Sequence, residues 1–131
     1  MLIVDDSEPL LDTLVVALGL QTGIDVVATA TDGDGAAAAV QDAQPDVVLL
    51  DLRLGDVWGL DVVPALRSGP EPPAIVVFSA ASDPVTTAAV ARAEVRAQVS
   101  KGAAIEEIAA VLRAAAGPRG AGATDGVQMD P

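Results

Sequence analysis

The chain predicts an α/β fold, a doubly wound five-stranded parallel sheet with five helices. Three observations lead there. Short apolar, β-branched runs recur five times ("LIV", "IDVVATA", "DVVLLDL", "AIVVFS" and "AQVS"), each followed by a longer amphipathic or Ala-rich stretch. The connections are short, which favours β-α-β crossovers within one sheet. Hydrophobic residues make up 51% of the 131 but aromatic residues only 2%, so small aliphatic side chains must fill the core, as tight helix-on-sheet packing allows.

Leu2 to Val4 form the first strand. The first helix starts at Ser7, whose hydroxyl suits an N-cap, with Pro9 in the first turn and Leu10, Leu11, Leu14, Val15 and Leu18 as its buried stripe. Ile24 to Ala30 read as the second strand, followed by "DGDG" and an Ala-rich helix ending before Pro45. Asp46 to Leu52 form the third strand, apolar throughout before Asp51, as a strand covered on both faces requires. After the glycine-containing loop "RLGDVWG", a helix runs from about Leu60 to Arg67, in which Pro64 imposes a late start or a kink. Ala74 to Ser79 are the fourth strand, Asp83 to Ala93 the fourth helix with Asp83 as N-cap, "AQVS" the fifth strand and Ile105 to Ala116 the last helix. Residues 1–116 thus form one domain. Residues 117–131, "GPRGAGATDGVQMDP", lack apolar periodicity and read as a flexible tail or the stub of a linker.

Composition removes several functions. A net charge of −12, from 19 acids against 7 bases, disfavours nucleic-acid binding by this chain, because phosphates must be met by Lys and Arg. No Cys means no thiol or disulfide chemistry, and no His removes imidazole bases and most zinc sites. There is no secretory n-region and h-region, and no apolar run near the ~20 residues of a membrane span. The expectation is a cytoplasmic protein.

In open α/β sheets, ligands bind beyond the carboxyl ends of the strands. Asp5 and Asp6 end the first strand, Asp51 the third and Ser79 the fourth, and Lys101 follows the fifth, so all five polar residues converge on one rim. Two carboxylates ~5 Å apart at an effective dielectric of ~20 repel by roughly 3 kcal/mol. Such a cluster suits a hard, oxygen-preferring cation, and Mg²⁺ takes one or two carboxylates while keeping several waters. A lysine ammonium and a serine hydroxyl beside it suit phosphoryl oxygens, and a carboxylate can itself accept a phosphoryl group. The assembly reads as Mg²⁺-assisted phosphoryl transfer onto an aspartate.

These five residues, with successive separations of 45, 28 and 22 residues from Asp6 onward, make the chain resemble the receiver domain of two-component response regulators over residues 1 to about 116. The resemblance implies a flavodoxin-like strand order, 2-1-3-4-5. It makes Asp51 the phosphoacceptor, and Asp6, Asp51 and the backbone carbonyl of Arg53 the Mg²⁺ ligands, with Asp5 acting through water. It has Ser79 bind the acquired phosphate and Lys101 pair with it. It also implies phosphate supply by a sensor histidine kinase, homodimerisation on phosphorylation, and a switch that assists its own phosphorylation and dephosphorylation more than an enzyme. "DLR" after the third strand and "SKGA" around Lys101 look most like the LuxR-type transcriptional regulators, which implies output through a DNA-binding domain not present in this chain. The alternative is a stand-alone receiver acting through protein contacts.

The sequence departs from the family pattern at four places. Gln98 stands where an aromatic residue is usual, Gly102 where proline is common, Gly55 for the usual loop proline and Trp58 for the usual acidic helix cap. Arg53 and Ala81, neighbours of Asp51 and Ser79, are expected to tune the lifetime of the phosphorylated state. Trp58 reads as a loop-packing residue, and Arg92, Arg96 and Arg113 as solvated helix charges. The rival from another class is a dinucleotide-binding domain, since "GDGAAA" at Gly33 to Ala38 follows a strand and opens a helix. Against it, Asp32 and Asp34 stand where a pyrophosphate would sit.

Overall fold

A computed structural model describes residues 1–80 and 83–120, with side chains to residue 117. Ala81 and the segment 121–131, most of the expected tail, lie outside the described residues. The elements run β1 (Leu2–Val4), α1 (Glu8–Gly19), β2 (Ala28–Ala30), α2 (Gly33–Ala43), β3 (Val47–Asp51), β4 (Arg53–Leu54), β5 (Val57–Trp58), a 3-10 turn (Gly59–Val62), α3 (Val63–Leu66), β6 (Ala74–Ser79), α4 (Pro84–Arg92), β7 (Ala97–Ser100) and α5 (Ile105–Gly120). The large sheet is parallel in the order β2-β1-β3-β6-β7, which is the expected 2-1-3-4-5 once the small β4–β5 hairpin is set aside.

Alternation along the strands builds two cores. Ile3, Leu49, Val76, Phe78 and Val99 face α1 and α5, meeting Leu11, Leu14, Leu18, Ile108, Ala109 and Leu112. Leu2, Val4, Val48, Leu50 and Ile75 face the other way, onto Ala36 of α2 and Val62, Val63 and Leu66 around α3. Every residue of β3 and β6 is buried, because both faces of the central strands are covered. Val90 is the buried residue of α4, joining Leu52 and Val77 in a smaller cluster. The guanidinium of Arg67 ties that helix down by donating to the carbonyls of Ala93 and Glu94 at 2.9 and 2.8 Å.

Several expectations need correction. Val15 is exposed, since α1 turns only the Leu11, Leu14 and Leu18 line fully inward. β2 forms over Ala28–Ala30 rather than from Ile24, because its ladder is set by the three residues of β1. The Pro64 expectation resolves as a late start: a 3-10 turn precedes α3, which places the proline in the first helical turn, where its missing N–H costs nothing. α5 continues past Ala116 to Gly120. Arg92 and Arg113 are exposed on α4 and α5 as expected, but Arg96 is not on a helix. Arg96 lies ahead of β7 and donates to the Ala115 carbonyl at 2.8 Å, and Arg113 donates to the Thr22 carbonyl at 2.9 Å.

Candidate functional site

The site lies where the parallel strands end. Asp5 follows β1 and is buried at 1% exposure, whereas Asp6, the next residue, points outward and is exposed. Asp51 ends β3 at 4% exposure and Ser79 ends β6 at 5%. Neighbouring strands hold their ends level, with Asp51 paired to Phe78 and Ser79 to Ser100. The amide of Lys101 donates to the Ser79 carbonyl at 3.0 Å, which fixes the lysine just past β7.

One ammonium serves two carboxylates. Lys101 Nζ lies 3.0 Å from Asp51 Oδ2 and 3.6 Å from Asp5 Oδ2, and 5.7 Å from the centre of the Phe78 ring. The other oxygens are held by backbone amides: Ser7 N donates to Asp5 Oδ1 at 2.9 Å, Arg53 N to Asp51 Oδ1 at 3.2 Å, and Gly55 N to Asp6 Oδ2 at 2.9 Å. Burial, more than any neighbour, pushes the Asp5 carboxyl above its ordinary value, opposed by the Ser7 amide and reinforced by the charge on Asp51.

Asp5, Asp6 and Asp51 each offer an oxygen, and these atoms lie within 4.8 Å of one another. Asp5 Oδ2 is buried with no hydrogen-bond partner among the described residues, an expensive condition for a charged oxygen. A hard divalent cation fits this donor set, all carboxylate and short of positive charge with a single lysine. Asp51, Ser79 and Lys101 line a cavity of about 180 Å³ together with Arg53, Trp58, Asp83 and Thr86. That cavity is the approach to Asp51.

The rim therefore brings together all five residues singled out by sequence, and Arg53 stands beside Asp51 as its amide donor. Sequence reasoning missed three features. "RLGDVWG" is a β-hairpin with Gly55 at φ +63°, pairing Arg53 with Trp58 and Leu54 with Val57. The signal was the two-residue Gly55-Asp56 turn, weak because each flanking strand has only two residues. Second, Trp58 packs against the Leu52–Val77–Val90 cluster and also walls the cavity. Third, Asp83 caps α4 as expected, but it faces the cavity too. The amide and then the hydroxyl of Thr86, each 2.9 Å away, hold its carboxyl below the usual carboxylate range.

The dinucleotide reading fails on geometry. Asp32 caps α2 and takes the Gly35 amide at 2.7 Å, so a carboxylate already sits where a pyrophosphate would need free N–H groups. Gln98, in the place of the usual aromatic, is exposed. No helix among the described residues is long and apolar enough to cross a membrane.

Comparison with known proteins agrees with this geometry. The family model for the response regulator receiver domain matches residues 1–113. The transcriptional regulatory protein KdpE of Mycobacterium tuberculosis is 36% identical over 115 residues, covering 88% of this chain and 50% of that protein. This chain thus spans half the length of that curated relative. Among solved structures, the signal receiver domain of the putative response regulator NarL from M. tuberculosis superposes with a TM-score of 0.77 at 32% identity, covering 88% of this chain and 94% of that one. A LuxR-family DNA-binding response regulator from Staphylococcus aureus gives a TM-score of 0.78 at 22% identity over 88% and 97% of the two chains, a likeness of fold.

Proposed function

The chain belongs to the response regulator receiver domain family, a class of regulatory switches, and on that premise we propose that it accepts a phosphoryl group on Asp51 in a Mg²⁺-dependent step. The observation that carries this reading is the state of Asp51: buried at a strand end, open to one cavity, with Lys101 Nζ 3.0 Å from one oxygen and the Arg53 amide on the other. A carboxylate held this way is oriented for in-line attack on phosphorus. The phosphodonor is a phosphohistidine of a sensor kinase. An Asp51 oxygen forms the new P–O bond, the P–N bond breaks, and the imidazole leaves with its electron pair and takes a proton from water.

Asp5, Asp6, Asp51 and the Arg53 carbonyl would hold the cation. When bound, it neutralises charge developing on the phosphoryl oxygens. Lys101 follows the charge from the carboxylate to the new phosphoryl group, and the Ser79 hydroxyl meets one of its oxygens. Loss of Lys101 from Asp51 and movement of Ser79 are the local events that a switch would transmit. The output is control of transcription through a DNA-binding domain outside this chain, a reading supported by the transcriptional regulator KdpE, of which the chain covers half. Homodimerisation on phosphorylation and a cytoplasmic location belong to the same reading, and the segment beyond α5 is a tail or a linker to the output domain.

Two measurements test it. Incubation with acetyl phosphate and Mg²⁺ adds the mass of one phosphoryl group to the wild-type protein and none to Asp51→Asn; equal labelling of the two would move the phosphoacceptor elsewhere. Mg²⁺ at ten times its Kd raises stability by about 1.4 kcal/mol, reversed by chelation, because the folded cluster binds and the unfolded chain does not. A midpoint indifferent to Mg²⁺ would remove the cation site.

A further inference from the structure

We propose that the β4–β5 hairpin is the positioning element for Asp6 and carries cation occupancy of the acid cluster to the wall of the Asp51 cavity. Gly55 is its contact at one end and Trp58 at the other. This rests on the cation reading above.

Asp6 is the exposed acid of the cluster, so burial does not orient its side chain as it does Asp5 and Asp51. Its carboxylate is held instead by the Gly55 amide, 2.9 Å from Oδ2 and 49 residues away in the chain. That bond fixes the carboxylate without consuming its other oxygen, which is how groups around a metal ligand aim it. The amide is available because residue 55 has an N–H, which a proline would lack, and because glycine adopts φ +63° without strain.

The hairpin transmits displacement because it is anchored beyond its tip. Leu54 is buried in the core under α2 and α3, and Trp58 rests on Leu52, Val77 and Val90. The Gly59 amide closes the base by donating to the Leu52 carbonyl. Arg53 and Trp58 form one rung of this ladder, and both line the cavity with Asp51, Ser79 and Lys101. A cation that draws Asp6 inward pulls the tip, and the rung at the cavity wall moves with it.

Trp58 is the sole tryptophan, so its emission reads the hairpin directly. Emission and acrylamide quenching are measured for wild type, Asp6→Asn and Asp6→Ala, first in EDTA and then across a Mg²⁺ titration, with the thermal midpoint followed in parallel and circular dichroism checking the fold. In EDTA, Asp6→Asn keeps an acceptor for Gly55 and matches wild type, whereas Asp6→Ala releases the tip and gives a red-shifted, more readily quenched Trp58. Mg²⁺ then shifts wild-type emission along the same titration curve as the midpoint, and both variants lose that shift. If Asp6→Ala in EDTA is indistinguishable from wild type, Asp6 does not hold the hairpin. If Mg²⁺ raises the wild-type midpoint while Trp58 stays silent, the coupling is wrong although the cation reading stands. Should Mg²⁺ change neither, the cation reading and the coupling fall together, and the EDTA comparison alone decides whether the Gly55–Asp6 bond ties the acid to the tip.

Discussion

Replacing Lys101 with Met lowers the stability of the cation-free protein by about 2 kcal/mol, a fall of roughly 6–10 °C in the thermal midpoint. The substitution keeps most of the apolar stem and removes the ammonium that faces both Asp51 and Asp5. Breaking a fully buried pair costs ~3–5 kcal/mol, and the smaller figure reflects the 29% exposure of the lysine side chain, which leaves water to screen part of the charge.

The cause is testable through pH. Burial raises the folded-state pKa of Asp5 above its unfolded value, so the folded protein binds the extra proton and ionised Asp5 is a destabilising charge. That penalty is complete above the folded pKa and is relieved as pH falls through it toward the ordinary value of 3.8. Without Lys101 the folded pKa rises further. The stability gap between Lys101→Met and wild type therefore narrows on acidification, starting nearer neutrality than the wild-type titration does. Adding Asp5→Asn to Lys101→Met recovers most of the loss at pH 7.5 and flattens the pH dependence of the gap. A gap that stays constant with pH, with no rescue, would mean that the lysine acts through Asp51 or through packing and not through Asp5.

Gly59→Ala is the second large effect, a loss of about 3 kcal/mol or more in chemical denaturation, at or beyond the upper end of ordinary overpacking. A Cβ at this position would stand 2.2 Å from the Asp51 carbonyl oxygen and 2.9 Å from Leu52 Cα, both backbone atoms with nowhere to rotate. Relief requires the end of β3 to move, and Asp51 moves with it. The variant therefore accepts phosphoryl from acetyl phosphate more slowly even at temperatures where it remains folded. Gly69→Ala is the control: nothing lies within 4 Å of its added Cβ, and the change should stay within about 0.5 kcal/mol. Comparable losses at both positions would rule out the close approach at Gly59 as the cause, because the effect of Gly→Ala on unfolded-chain entropy is itself stabilising.

Much of the site was legible because it is written in strand ends. Asp51 and Ser79 close apolar runs that can only be central strands, and a parallel sheet puts those ends on one rim. The capping roles of Ser7 and Asp83 were equally local, each a short polar side chain accepting from an amide three residues on. Gly59 was not legible, because its reason is a backbone passing close by, and nothing in "VWGL" announces that neighbour. Nor were Arg96 and Arg113, whose carbonyl partners lie 19 and 91 residues away.

By itself, then, the sequence determined the parallel layered architecture and the rim on which the acids gather, since hydrophobic period, helix caps and turn residues act over a few residues. Tertiary structure alone decided that Asp5 and Asp51 are buried while Asp6 is exposed, that one lysine must serve both buried charges, and that a hairpin ties Asp6 to Trp58. Those outcomes depend on how closely separate segments approach one another. Desolvation and charge–charge distance are properties of that packing, which no single stretch of chain encodes.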